Sequence, residues 1–393
     1  MKRKIAVVTS SRADYGLLFW LMREIADDLH LQLQVIATGM HMSPEFGLTY
    51  RMIEQDGFEI DAKVEILLSS DSSVGVVKSM GLANIAFADA LERLSPDIVV
   101  VLGDRFETLS VAQTSFILKI PVAHIHGGEI TEGALDDSIR HAITKLSHIH
   151  FPVAQKYYER ILQLGESPDF VYNFGAPGLD HIKRTRFLTH SELSSALSLQ
   201  FFEFNILVTY HPPTAKNKNL DEGIKEIFKA LEHYPNASII FTESNADEAG
   251  RKITKLIKQF VSKDEIHRFS FTALGLTYYL SLAKIVDVVL GNSSSGLIEV
   301  PFVGTPTINI GDRQKNRLQA SSVINCEEKC EAILCALKTS QSKDFKEVLS
   351  NIYSPYGNGD VSQKIKKVLK EISLDNIIQK RFYTPWKENE LAS

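Results

Sequence analysis

Residues 97–102 read Asp-Ile-Val-Val-Val-Leu, and a strand with three contiguous valines has no polar face to give to water. Such a strand must be covered on both sides, which in practice means the middle of a parallel sheet with helices packed above and below. The rest of the first half repeats one unit: a short β-branched run, a turn of Gly, Ser or Asp, then an amphipathic stretch of helical length. Strands are expected at 5–9, 33–38, 97–102, 121–125 and 171–174, with helical patterns near 16–29, 137–146 and 155–164. Alternation of this kind predicts βα units and a parallel sheet. A second series follows Gly175, Pro177 and Gly178, with strands near 206–210, 238–241, 286–290 and 306–310. The chain therefore reads as α/β, with two Rossmann-like domains at 1–178 and 179–360 and a cleft between them. A helical segment within 361–393 is expected to return to the first domain.

Composition narrows the function classes. The 43 Lys and Arg against 48 Asp and Glu give a formal net charge of −5, so no overall positive field favours nucleic acid or an anionic membrane. The apolar run after the basic start is only residues 5–8, too short for a secretory signal, and no later run reaches the roughly 18 uninterrupted apolar residues of a membrane span. Cys326, Cys330 and Cys335 are an odd number in one segment of helical character, so packing is expected of them, not disulfides or metal. These features predict a cytoplasmic enzyme.

In parallel sheets the chemistry lies just past the carboxyl ends of the strands. Those positions here are polar throughout: Ser10-Ser11-Arg12-Ala13-Asp14, Gly39-Met40-His41, Gly103-Asp104-Arg105, His126-Gly127-Gly128-Glu129, His211-Pro212, Glu243-Ser244-Asn245 and 291–296, Gly-Asn-Ser-Ser-Ser-Gly. The serine turn runs from a strand into a helix start, where free N–H groups and the helix dipole favour a phosphate. Glu299, one turn in, can accept from ribose hydroxyls. Arg12 and Arg313 each follow a strand, and a guanidinium fork suits a diphosphate. Asp104, His126, Glu129 and Asp136 are candidates for moving protons, and His211 for touching a pyrophosphate or leaving oxygen. Asp104 needs a partner, either Arg105 or a ligand. One of Asp136 and Asp137 is expected to cap the helix beginning at 138. His124 and His126 should share one strand face, and the glycine pair after them suggests close approach of the backbone to substrate. No third histidine completes a metal set, so no metal and no other cofactor is expected. There is no Gly-x-Gly-x-x-Gly after the first strand and no Walker ending, against a dinucleotide dehydrogenase or P-loop enzyme.

Taken together, these motifs resemble the hydrolysing UDP-N-acetylglucosamine 2-epimerases of bacterial nonulosonic acid synthesis. The matching segments run in order along almost the whole chain: 11–16, 38–41, 103–106, 124–129, 136–145, His211-Pro212, 291–296 and 308–314. The resemblance implies a glycosyltransferase-B-type fold, with UDP held by Arg12, His211, Asn245, Ser293, Ser294, Glu299 and Arg313. It implies acid and base carboxylates at Asp104 and Asp136. Many members carry Glu where this chain has His126, so His126 replaces that glutamate or Glu129 takes part of its role. The implied reaction eliminates UDP from C1 with loss of the C2 proton, then adds water with C2 inverted. Residues 66–82 resemble the legionaminic acid branch, which acts on UDP-N,N'-diacetylbacillosamine; UDP-N-acetylglucosamine in a sialic acid pathway is the rival substrate. A glycosyltransferase of the same fold is the rival activity, and a homo-oligomer is expected.

Overall fold

The valine-rich run lies inside a six-stranded parallel sheet, with Val99 and Val100 fully buried. The computed structural model describes residues 2–68, 72–131, 135–211, 221–242, 248–272 and 274–384, and the chain forms two compact units, Met1–Asp180 with Gly359–Ser393, and His181–Asn358.

The first unit contains β1 (Arg3–Thr9), α1 (Arg12–Ala26), β2 (Leu31–Thr38), α2 (Tyr50–Gln55), β3 (Ala62–Val64), α3 (Ser73–Leu94), β4 (Ile98–Leu102), α4 (Phe106–Ile117), β5 (Val122–Ile125), α5 (Leu135–Leu146), β6 (Ile149–Phe151) and α6 (Gln155–Gln163). Its sheet order is β3-β2-β1-β4-β5-β6, parallel throughout. After α7 (Gly178–Arg184), the second unit contains α8 (His190–Leu197), β7 (Phe204–Thr209), α9 (Glu222–Leu231), β8 (Ala237–Thr242), α10 (Glu248–Val261), β9 (Arg268–Phe271), α11 (Gly275–Ile285), β10 (Val288–Gly291), α12 (Ser295–Phe302), β11 (Thr307–Ile310), β12 (Val323–Cys326), α13 (Cys330–Ser340) and α14 (Lys343–Ser350). Its order, β12-β11-β10-β7-β8-β9, is again parallel. Each sheet is doubly wound. The switch points, between β1 and β4 and between β7 and β10, are where such sheets open a crevice for ligands.

Helices cover both faces of the first sheet. On one, Leu18, Leu21 and Met22 of α1 pack with Ile365 and Leu369 of α15 (Val361–Glu371). On the other, Phe87 and Leu91 of α3 pack with Val111 of α4 and Ile143 of α5. Each such fully buried side chain contributes roughly 1.5–3 kcal/mol. α15 is anchored by Asp180, whose buried carboxylate accepts N–H bonds from Val361 (2.9 Å) and Ser362 (2.6 Å).

Three expectations need correction. Residues 171–174 are not a strand; Val171 makes a single bridge to His150, while Tyr172 and Phe174 lie against Phe151. The sixth strand is β6, whose apolar pattern is broken by a buried His150 that pairs with Glu166. Cys326 ends a strand and only Cys330 and Cys335 are helical; all three thiols are free. Among the described residues α3 alone has the length and apolarity of a membrane span, but Ala83, Phe87 and Leu91 on its inner face are fully buried against the sheet.

Candidate active site

At the end of β1 the chain turns into α1 through a capping box between Ser11 and Asp14. The nearly buried Asp14 carboxylate accepts from Thr9 Oγ1, Ser10 N and Ser10 Oγ, each at 2.8 Å, and from Ser11 N at 2.9 Å. This rigid turn leaves Arg12 exposed on the first turn of α1. The fully buried His41 sits 3.0 Å from Thr9 Oγ1 through Nε2 and 2.8 Å from Thr49 Oγ1 through Nδ1. Desolvation lowers its pKa against the pull of Asp14, which keeps the ring neutral.

The end of β4 differs from expectation in its pairings. Arg105 does not hold Asp104; it binds the fully buried Glu107, with Nη2 at 3.0 Å from Oε1. Asp104 instead accepts from Arg140, a buried residue of α5 whose other nitrogen lies 3.6 Å from Asp137. The exchange has a geometric cause: Arg105 precedes α4 and turns back toward its first turn, whereas α5 directs Arg140 at the end of β4. Asp136 and Asp137 both lie within the first turn of α5, so neither is its cap. Asp136 is exposed, and Asp137 accepts the Thr131 N–H at 2.7 Å.

His124 and His126 do not share a strand face. β5 ends at Ile125, and His126 takes a left-handed backbone with φ 67°, a conformation that costs a non-glycine residue roughly 1 kcal/mol or more. His124 is fully buried, its Nε2–H donating to Gly103 O (2.8 Å) with Thr144 Oγ1 3.2 Å from Nδ1; burial pushes its pKa down to about 3. It is a structural tie between β5, the turn after β4, and α5. His126 turns the other way. Its Nδ1 lies 2.6 Å from Glu129 Oε1, and its Nε2 is buried without a hydrogen-bond partner among the described residues. A carboxylate on Nδ1 favours the tautomer with the proton there, which leaves Nε2 as a proton acceptor. The glycine pair is required by packing. A Cβ on Gly128 would lie 2.4 Å from Tyr157 O, and one on Gly127 would lie 3.0 Å from Thr144 Oγ1.

In the second unit the reciprocal amide bonds of Asn292 join the two strands at the switch point: His211 N donates to Asn292 Oδ1 (2.8 Å) and Asn292 Nδ2 to His211 O (2.9 Å). Gln314 Nε2 donates to Asn292 O at 2.8 Å, fixing the turn after β11 to the same point. Gly291, at φ 147°, permits this crossing, since a Cβ there would lie 1.9 Å from Thr209 O. Ser294 occupies the N-cap of α12 but makes no side-chain cap bond. Ser293 and Ser294 are half-buried at this helix start, Glu299 lies one turn in, and Arg313 is exposed after β11. Asn245 and Pro212 lie outside the described residues. Sequence reasoning gave no role to Arg140, Glu107 or Asn292; Arg140 stands three and four residues after Asp137 and Asp136, a helical spacing that could have flagged it.

Two doubly wound units with polar groups gathered at their switch points define a two-Rossmann enzyme of the glycosyltransferase-B type. The family description "UDP-N-acetylglucosamine 2-epimerase" matches residues 23–370, and the chain belongs to that family. It is similar to the GDP/UDP-N,N'-diacetylbacillosamine 2-epimerase (hydrolyzing) of Campylobacter jejuni, 47% identical over 97% of this chain and 99% of the relative. It is also similar to the UDP-N,N'-diacetylbacillosamine 2-epimerase (hydrolyzing) of Legionella pneumophila, 33% identical over 96% of this chain and 98% of the relative. In fold it matches a crystal structure of UDP-GlcNAc 2-epimerase from Neisseria meningitidis bound to UDP-GlcNAc, with a TM-score of 0.77 at 20% identity, covering 94% of this chain and all of that one.

Proposed function

We propose that this chain hydrolyses UDP-N,N'-diacetylbacillosamine to UDP and 2,4-diacetamido-2,4,6-trideoxymannose, inverting C2, as a cytoplasmic step of legionaminic acid synthesis. The observation that carries the reading is the His126–Glu129 pair, with its buried Nε2 open to accept a proton at the end of β5. In this mechanism His126 Nε2 takes the C2 proton while the C1–O bond to UDP breaks, forming a 2-acetamidoglycal. Water then adds at C1, and a proton reaches C2 from the opposite face by way of Asp104 or Asp136. Glu129 fixes the tautomer of His126 and stabilises the imidazolium as it forms. Arg140 holds the Asp104 carboxylate in place.

The departing diphosphate needs fixed positive groups and N–H donors, which cost no reorganisation when charge develops. Arg12, His211, Ser293, Ser294 and Arg313 would supply them, with Glu299 on the ribose. Asn245 belongs to the same assignment from sequence alone. The names of the Campylobacter and Legionella relatives support the substrate. An exposed apolar stripe on α3, formed by Val74, Val77 and Ile85, supports a homo-oligomer.

The test is a proton NMR time course in deuterium oxide, with UDP-N,N'-diacetylbacillosamine and UDP-N-acetylglucosamine in separate tubes. Free UDP and a manno-configured sugar deuterated at C2 are expected, faster in the first tube. UDP binding without release from either sugar would overturn the reading in favour of an acceptor-dependent transferase.

A further inference from the structure

Beside the catalytic cluster of the first unit, past the carboxyl ends of β2 and β3, is a cavity of about 420 Å³. Its lining is mixed: Met40, Met42, Phe46, Leu67, Leu68 and Phe106 give an apolar wall, beside polar Ser43, Glu45, Glu65, Ser79 and Arg105. Two of these are large apolar side chains left in solvent, Phe46 at 43% and Leu68 at 42% exposure. The polar members are engaged or peripheral. Ser79 Oγ accepts the Leu68 N–H (3.3 Å), Arg105 is bound to Glu107, and Glu45 and Glu65 are exposed at the rim.

The cavity is lined by the loops that follow β2 and β4. Gly39 and Arg105 belong to its wall, and a Cβ on Gly39 would lie 3.1 Å from Glu107 and 3.2 Å from Ser10. In the sheet β2 is separated from β4 by β1 alone, so at about 4.8 Å per strand the β2 loop stands roughly 10 Å from the β4 loop. A pyranose whose C1–C2 edge faced Asp104 and His126 would have its C4–C5 edge turned away from them. Against the apolar wall a hydroxymethyl group would give up water without gaining a partner, whereas a methyl group would gain contact area, and the amide of a 4-acetamido group would need the polar part of the lining, Ser43, Glu45 or Glu65.

We infer that this cavity receives the C4 and C6 substituents of the sugar and selects a 4-acetamido-6-deoxy ring over one bearing hydroxyl and hydroxymethyl groups there. The inference rests on the epimerase reading above, and the two fail separately. The experiment measures kcat/KM on UDP-N,N'-diacetylbacillosamine and UDP-N-acetylglucosamine for the unaltered enzyme, Leu68→Asn and Phe46→Asn. Both substitutions are at exposed positions, so folding is preserved. One methyl-sized group in an apolar pocket is worth roughly tenfold or more in discrimination. The preference for the diacetamido sugar is therefore expected to fall at least about tenfold in each variant. A preference that stays the same in both variants, or rates that fall in parallel on both sugars, overturns the inference alone. UDP release from neither sugar by the unaltered enzyme overturns the epimerase reading and this inference with it.

Discussion

Acid should unfold the first unit through buried imidazoles that the fold holds neutral, His124 and His148 among them. His124 is fully buried and pushed down to about 3, by desolvation first, against the hydrogen bond to Gly103 O that favours its protonated form. His148, 3% exposed, is pushed down to about 4 by desolvation and by the charge of Lys380, and its Nδ1 accepts the Val122 N–H at 3.2 Å. In the unfolded chain both rings titrate near the ordinary value of about 6.5. Below that pH the unfolded state binds protons that the native state cannot, so stability falls as pH falls. The full contribution is present above about pH 6.5, and the loss continues down to about 4 for His148 and about 3 for His124. Each group costs about 1.4 kcal/mol per pH unit, so between pH 6.5 and 4.5 the pair removes roughly 5 kcal/mol, comparable to the whole stability of many domains. Glu166, lowered to about 2, does not enter this window, because its contribution is lost only as pH falls through the range below 4.5.

Hydrogen exchange read peptide by peptide, corrected for intrinsic rates, isolates the effect. Peptides covering β4 and β5 should lose protection by nearly four powers of ten, about 1.4 kcal/mol for each. Peptides from β7 and β10 serve as the internal reference. His148→Asn keeps an acceptor for Val122 N–H and removes one titration, so it should reduce the pH slope. An unchanged slope in that variant, or equal loss in β7 and β10, would refute the assignment to buried imidazoles.

Three further outcomes are expected. His126→Gln should lower kcat about 100-fold or more while leaving UDP affinity by calorimetry within about threefold, the mark of a lost proton acceptor; near-normal turnover would remove His126 from the mechanism. Gly291→Ala should abolish soluble folded protein, since its Cβ would lie 1.9 Å from Thr209 O at φ 147°, and an unchanged melting curve would contradict that geometry. Lys380→Met strips a cation from Glu166, 3% exposed, and from the carbonyls of Lys145 and Ser147 at the end of α5. Because Lys145 and His150 still meet Glu166, the loss is expected to be about 1.5 kcal/mol, visible in thermal melting and largely recovered by Lys380→Arg.

What was legible in the sequence follows from the range of the interactions involved. Strand ends could be located because an apolar run that stops at Gly-Asp or Ser-Arg is a local pattern, and Asp104, His126 and Ser293 all stand at such ends. The pairings were not legible, because they are made across the fold: Asp104 meets Arg140 from 36 residues away and His211 meets Asn292 from 81. β6 was missed for the same reason, since His150 looks like a break in the pattern until Glu166 is seen to satisfy it.

The turn at His126 carries the argument furthest. Read by spacing, His124 and His126 form one strand face, but a single left-handed residue separates them, giving one imidazole to the core and the other to Glu129. Gly128, also left-handed at φ 80°, sets Glu129 where it can meet His126, and only glycine fits there against Tyr157 O. Backbone strain at His126 and the glycine beside it thus build the proton-transfer pair that we propose from residues three apart in sequence. The same strain explains why residue type alone left His126 and Glu129 as alternatives: in this geometry they are paired, the carboxylate on one ring nitrogen and the other nitrogen left as the acceptor that we propose takes the proton.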